Sequence, residues 1–250
     1  MGNTLRSELL SAFYGKQQVL HRVTLSAPEH QVTTIIGPTG SGKTTFVRCL
    51  NRLHETTPGA RLEGDVWLGD VNLYALDPII VRRKVGMVFQ TPNPFPTLSI
   101  FENVASGVRL NGIRNKTVIS EQVEKSLRLC SLWEEVKTIL HQSVSPLTRG
   151  QQQRLCVARA LAIEPVVLIF DEPTLTLDPL SALRIEELIE DLKRRYTIIL
   201  VTNNLQQAAR VADLTALLLN GELVEQGPPA ELFTRPSDKR TEDYLTGRFG

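Results

Sequence analysis

The chain has 250 residues, 42% of them hydrophobic and 22% charged, with 16 glycines. That is the ordinary balance of one large or two small globular domains, and it excludes disordered, collagenous and disulfide-scaffold classes. Its 28 basic and 27 acidic residues leave a formal net charge of +1, too weak a field to steer nucleic acid or an anionic lipid surface.

Three scattered cysteines, Cys49, Cys130 and Cys156, form no CxxC pair. They read as small buried hydrophobes in a reducing compartment rather than a metal site or disulfide framework. No apolar run approaches the ~18 residues of a membrane span; the longest strictly apolar one is residues 166–170. The first residues lack a signal peptide's apolar region, and Arg6 stands where a myristoylation motif needs Ser or Thr. The expectation is a soluble, cytoplasmic chain that meets a membrane only through a partner.

In chain order, residues 22–26 alternate as a half-buried strand, and the β-branched run 32–36 reads as a buried strand that stops at Gly37. Phe46, Leu50 and Leu53 then fall at i, i+4 and i+7, one face of a helix. Residues 91–165 open with Thr91-Pro92-Asn93-Pro94-Phe95-Pro96, hostile to helix, and continue with helical spacings such as Val123, Leu127 and Leu132. Residues 166–170 and 197–202 read as two more buried strands. The helix between them has Asp178 as N-cap, Pro179 at its first position, and an apolar stripe of Ile185, Leu188, Ile189 and Leu192. Glu190 and Asp191 sit four residues before Arg194 and Arg195, a spacing for ion pairs. Asn220-Gly221 marks a hairpin within residues 216–224. The clusters at 82–84 and 193–195 read as solvated basic faces. Buried strands alternating with helices predict an α/β domain, a mostly parallel sheet covered on both faces. The whole of 1–250 reads as one domain, with a core of 1–90 and 166–250 and a helical insertion at 91–165.

Two motifs carry chemistry. Gly37-Pro38-Thr39-Gly40-Ser41-Gly42-Lys43-Thr44 fits GxxxxGK[ST] at every fixed position, between a buried strand and an amphipathic helix. The glycines let backbone N–H groups curl around a phosphate, Lys43 reaches its oxygens, and the Thr44 hydroxyl suits Mg²⁺. The second is Asp171-Glu172 at the end of strand 166–170. Asp171 suits Mg²⁺ through its water shell, and Glu172 suits the polarisation of an attacking water. The first motif alone implies a nucleoside triphosphate, and the pair implies a P-loop NTPase core.

Between them stands Leu147-Thr148-Arg149-Gly150-Gln151-Gln152-Gln153-Arg154. With it, the chain resembles an ATP-binding cassette (ABC) ATPase subunit, whose signature peptide reads LSGGQ followed by QR. The order of phosphate loop, Phe89-Gln90, signature, Asp-Glu strand and Leu177-Asp178 is that family's order. Tyr14-Gly15-Lys16, Pro94-Phe95-Pro96, the segment 132–137, the segment 206–210 and the terminal segment 241–248 resemble the phosphate-import (Pst-type) branch, although Phe95 and Trp133 equally suit core packing. The resemblance implies an N-terminal antiparallel β part and two nucleotide domains paired head to tail around two ATP molecules. It implies that Tyr14 stacks on adenine, Thr45 supports the α-phosphate, and Gln90 reaches Mg²⁺ and the water. Thr148, Arg149, Gly150, Gln151 and Asp178 would act across the dimer. The implied partners are two transmembrane permease subunits, an external phosphate-binding protein and a second ATPase subunit, on the cytoplasmic face of the plasma (inner) membrane.

Two positions depart from that pattern in ways that count, and Leu175-Thr176-Leu177-Asp178 also replaces the family's usual SALD while keeping Asp178. Arg149 replaces the first glycine of the signature, and Asn203 stands where the family carries His after its third strand. Asn203 can hydrogen-bond a γ-phosphate but cannot carry charge or shuttle a proton. A second expectation therefore stands beside an active homodimeric motor: a degenerate, regulatory subunit working in an asymmetric pair with an intact paralogue.

Overall fold

The computed structural model describes residues 3–248; Met1 and Gly2, where a lipid would be attached, lie outside them. The chain begins as β1 (Leu5–Tyr14) and β2 (Gln17–Ala27), leaves for a second sheet as β3 (Val32–Ile36), and returns as β4 (Ala60–Leu68) and β5 (Val71–Asn72). Strands β2, β1, β4 and β5 form an antiparallel sheet in that order. The second sheet gains β6 (Val85–Val88), β7 (Val167–Asp171), β8 (Thr197–Val201), β9 (Leu214–Leu219) and β10 (Glu222–Gly227). Its order is β10-β9-β3-β8-β7-β6, parallel except at the β10 edge.

The parallel strands are apolar on both faces because both are covered. Val167 and Ile169 of β7, with Ile199 and Val201 of β8, point to one side. There they meet Phe46 and Leu50 of α1 (Lys43–Leu50) and the inner face of the antiparallel sheet, Leu5, Leu10 and Leu20 included. Leu168, Phe170, Ile198 and Leu200 point to the other side, as the two-residue repeat of a strand requires. The short α2 (Pro78–Lys84) leads from β5 into β6.

The insertion is helical, as its spacing predicts: α3 (Ile100–Leu110), α4 (Lys116–Leu129), α5 (Trp133–Val136) and α6 (Arg149–Leu161). Its apolar residues, Val104, Val123, Leu127 and Leu155 among them, share one continuous cluster with Leu168 and Phe170 of the sheet. After β7 come α7 (Pro179–Leu192), α8 (Leu205–Val211), α9 (Pro229–Leu232) and α10 (Lys239–Leu245). Asp178 caps α7, accepting from the Ser181 N–H at 3.0 Å, and the predicted stripe is buried. Asn220 (φ 47°) and Gly221 (φ 79°) make the hairpin turn with two left-handed residues, the type I′ requirement.

Several local expectations are corrected. Helix α1 ends at Leu50, so Leu53 lies beyond it, and Leu132 lies beyond α4. The α7 ion pairs form at i, i+3: Glu190 meets Lys193 at 2.8 Å and Asp191 meets Arg194 at 3.9 Å; the helix ends at Leu192, and in the turn that follows the Arg195 N–H donates to the Leu192 carbonyl at 3.0 Å. The basic clusters are not wholly solvated, since Lys193 also bonds Asp213 at 3.1 Å and Arg82 donates to the Arg52 carbonyl at 2.8 Å. Trp133 packs against the helical core, whereas Phe95 is 46% exposed with the Arg159 guanidinium 4.6 Å from its ring. All three cysteines are free and buried. Among the described residues no helix is long and apolar enough to cross a membrane.

Candidate active site

Sheet order decides what meets what. In the parallel sheet β3, β8 and β7 are neighbours, and Ile35, Val201 and Asp171 stand in one cross-strand row. The chain leaves all three strands at the same edge, so the phosphate loop, Asn203 and Asp171-Glu172 converge there. Strand β6 pairs with β7 up to Val88 opposite Phe170, which brings Gln90 to that edge too. This is where parallel α/β sheets place ligands, outside the carboxyl ends of the strands.

The loop's shape follows from its glycines. A side chain on Gly37 (φ 149°) would put its first carbon 2.1 Å from the Leu218 carbonyl oxygen. Gly42 (φ 102°) is the left-handed residue that turns the loop into α1. The β9–β10 hairpin braces the loop from outside: the Gly221 N–H donates to the Ser41 carbonyl at 2.9 Å, and the His21 N–H donates to Gly221 at 2.8 Å. Lys43 curls into the loop, its Nζ donating to the carbonyls of Gly37 (2.8 Å) and Pro38 (2.9 Å). Burial lowers the Lys43 pKa, and the Glu172 and Asp171 carboxylates oppose that shift.

Across the strand ends, the Thr44 hydroxyl donates to Asp171 Oδ1 at 3.0 Å. Burial raises the Asp171 pKa, against the Thr44 hydrogen bond and the charges of Arg48 and Lys43. Burial also raises that of Glu172; Lys43 opposes the shift, the Asp171 charge adds to it, and a hydrogen bond from Asn203 opposes it. Glu172 has a left-handed backbone (φ 48°), and its N–H donates to the Val201 carbonyl at 2.9 Å. A cleft of about 510 Å³ opens over these groups, lined by Thr39, Gly40, Gly42, Lys43, Thr44, Thr45, Gln90, Glu172 and Asn203. A second cleft of about 530 Å³ shares Glu172 and Asn203 and runs along the start of α7. The first holds the phosphate-loop groups Thr39, Gly40, Gly42, Lys43, Thr44 and Thr45. The Thr44 hydroxyl in the cleft and the buried Asp171 carboxylate behind it, in contact with each other, are hard oxygen donors that fit Mg²⁺, which takes few protein ligands and completes its shell with phosphates and water.

The signature forms the start of α6. Thr148 is its N-cap and Gln151 closes a capping box, with the Gln151 Oε1 accepting from the Thr148 N–H at 2.8 Å. Arg149 is exposed on the first turn. Gly150 is buried against α7, where a side chain would meet Ser181 Oγ at 2.3 Å.

A family model described as ABC transporter matches residues 20–175. The chain belongs to the ABC transporter family. It is 55% identical over 253 residues, covering 100% of both chains, to the phosphate import ATP-binding protein PstB of Koribacter versatilis (strain Ellin345). Its structure resembles that of the dimeric post-hydrolysis state of the ATP-binding cassette MJ0796 bound to ADP and Pi. The TM-score is 0.76 at 26% identity, over 90% of this chain and 98% of that one. As an ABC ATPase the chain binds ATP.

Within this ABC ATPase the cleft is lined by nine of the nineteen sequence-predicted site residues; Gly37, Pro38, Ser41 and Asp171 do not line it, and others stand apart. Tyr14, at the end of β1, does not line the cleft; Val19 of β2 does. Thr148, Arg149, Gly150, Gln151 and Asp178 also lie outside it, on the starts of α6 and α7. Leu175 also lines the cleft while 58% exposed, and no sequence pattern marked Val19. Gln153 and Arg154, the tail of the signature segment, were given no role of their own although a signal existed. They are buried polar residues on the same α6 face as Gly150, Val157 and Leu161, at the spacing of a core stripe.

Proposed function

We propose that this ABC ATPase energises phosphate import. The observation that carries the reading is the 55% identity to a phosphate import ATP-binding protein along the full length of both chains. In this reading the subunit sits peripherally on the cytoplasmic face of the plasma membrane. It works with two transmembrane permease subunits and an external phosphate-binding protein. A second cassette completes each ATP site, in line with the dimeric structure it resembles.

The phosphate loop from Gly37 to Thr45 cradles the phosphates, with Pro38, Thr39, Gly40, Ser41 and Gly42 offering backbone and Lys43 offering charge. Thr44, Asp171 and Gln90 hold Mg²⁺, which when bound neutralises phosphate charge as a Lewis acid. Glu172 orients and polarises the attacking water, and Asn203 donates both to that carboxylate and to the γ-phosphate. Tyr14 takes the adenine once a nucleotide closes the gap between β1 and the cleft. Thr148, Arg149, Gly150, Gln151 and Asp178 face the partner's ATP.

The test is phosphate uptake in cells lacking their own importer ATPase, beside ATP turnover by the purified chain. Uptake restored by the natural chain and abolished by Glu172→Gln supports the reading. No restored uptake, or turnover unaffected by Glu172→Gln, overturns it.

Arg149 and Asn203 favour a second reading, a regulatory subunit of an asymmetric pair. In a homodimer both ATP sites carry both departures; with an intact paralogue each site carries one. Losing one transition-state donor costs about 3 kcal/mol, or about 100-fold in rate. If the Arg149→Gly, Asn203→His double variant hydrolyses ATP while the natural chain stays near background, the asymmetric pair is the better reading. Equal rates discard it.

A further inference from the structure

Gln153 is a fully buried polar side chain in the middle of the cassette, 0% exposed. Its Nε2 donates to two carbonyls that belong to different loops: Phe89 at 2.9 Å and Pro173 at 3.1 Å. Phe89 directly precedes Gln90, and Pro173 directly follows Glu172. Both neighbours are acceptors, which fixes which end of the amide carries the N–H groups. The other end, Oε1, has no hydrogen-bond partner among the described residues. Burying an amide with half its capacity unused costs free energy, and a core leucine at this helical position would avoid the cost. The two donated bonds are what distinguishes glutamine from an apolar residue here.

We propose that Gln153 is a positioning residue that ties the signature helix α6 to both catalytic loops at once. It rests on the reading of Gln90 and Glu172 given above and adds the route by which α6 reaches them. Arg149, Gly150 and Gln151 occupy the first turn of α6, and Gln153 lies one turn further along the same helix. A turn or tilt of α6 therefore pulls on the backbone beside Gln90 and beside Glu172 together. The phosphate loop is not in this connection: Lys43 and Thr44 make their contacts to Gly37, Pro38 and Asp171. Loss of Gln153 should therefore slow the chemical step and leave ATP affinity nearly unchanged.

The experiment is a double-mutant cycle in the purified full chain, read as single-turnover hydrolysis at saturating MgATP, with ATP affinity measured by fluorescent-nucleotide displacement. Gln153→Leu keeps the volume and removes both donors; Gln153→Met repeats the test if the leucine variant melts early. The expected result is a rate about tenfold lower in Gln153→Leu, with affinity within about threefold of the natural chain. Combined with Gln90→Ala, the double variant should stay within about threefold of the slower single variant, because the two act through one segment.

Losses that multiply point to a merely structural glutamine and overturn the proposal, as does an unchanged rate in both Gln153 variants. Failure of both Gln153 variants to fold makes the residue structural and overturns it too. If Gln90→Ala alone leaves the rate unchanged, or the natural chain does not hydrolyse ATP, the underlying reading of the site fails and this proposal with it.

Discussion

In a Glu135→Ala variant, the Arg154 guanidinium loses the carboxylate that holds it at 2.9 and 3.0 Å and keeps only the Ser131 carbonyl at 2.6 Å. The same carboxylate accepts from Gln151 Nε2 at 2.8 Å, and Arg184 of α7 stands 3.7 Å from it. One residue thus joins the signature cap, the body of α6 and the neighbouring helix. The Arg154 side chain is only 5% exposed, and breaking a fully buried pair costs about 3–5 kcal/mol. The Glu135 side chain is 32% exposed, so water relieves part of that loss and about 2–3 kcal/mol is expected. That lowers Tm by roughly 5–10 °C in a chain of this size.

Urea unfolding measures the loss, and a cycle with Arg154→Met should give a coupling of about 1.5 kcal/mol or more. The pH dependence supplies a second check. Burial works to raise the Glu135 pKa, but hydrogen bonds from Arg154 and Gln151 and the Arg154 charge outweigh it and leave it below the ordinary 4.5. A depressed folded pKa gives stability that is complete above the ordinary value and lost as pH falls through the depressed one. The gap between the natural chain and Glu135→Gln should therefore be full at neutral pH and close in acid. A Glu135→Ala loss below about 0.5 kcal/mol, or an additive cycle, refutes the node.

Three further outcomes are expected. Gly150→Ala forces a methyl to within 2.3 Å of Ser181 Oγ and should cost about 2 kcal/mol; thermal melts of the double variant with Ser181→Gly should recover most of it. Gly37→Ala, whose methyl would meet the Leu218 carbonyl at 2.1 Å, should lose nucleotide binding in a titration. Gly40→Ala, with nothing within 4 Å of its added carbon and only the strain of its left-handed backbone (φ 83°) to bear, should lose less. Asp171→Asn removes a carboxylate whose pKa burial raises above 3.8. Such a group holds its proton more tightly when folded, so the natural chain loses stability as pH rises through that window. The variant should melt at a higher temperature than the natural chain at neutral pH, with a flatter pH profile, while its Mg²⁺-dependent hydrolysis disappears.

The site was far more legible in the sequence than the scaffold around it. Gly37 to Thr44 and Asp171-Glu172 each declare their chemistry because backbone curvature and oxygen donors need particular residue types, and β3 and β7 are short, wholly buried runs. The antiparallel sheet was harder. Strand β1 carries a left-handed Leu9 (φ 50°), and its register shifts between Ser7 and Leu10, between Leu10 and Ala12, and between Ala12 and Phe13. A bulged strand breaks the two-residue repeat that marks strands in sequence. The Glu135 node was invisible for another reason: its partners lie 16, 19 and 49 residues away, and nothing local to Glu135 foretells them. Gln153 could have been found, since its place on the buried stripe of α6 follows from helical spacing alone.

The two departures from the family pattern occupy positions whose conventional residues this fold does not itself require. Of the signature's two glycine positions, 150 is packed against Ser181 and 149 points outward. A side chain at 150 would push α6 away from α7; Arg149 meets no such neighbour and is accommodated without distortion. Asn203 is likewise exposed and lines the same cleft as Glu172. Both substitutions leave the folding of a single cassette intact. Their effect is confined to what the surface meets: phosphate oxygens at Asn203, and whatever docks on the first turn of α6 at Arg149. Stability measurements on Arg149→Gly and Asn203→His should differ from the natural chain by no more than about 0.5 kcal/mol each, the range of exposed substitutions. A larger stability change at either position would place the departure within this chain's own packing rather than at its outward face.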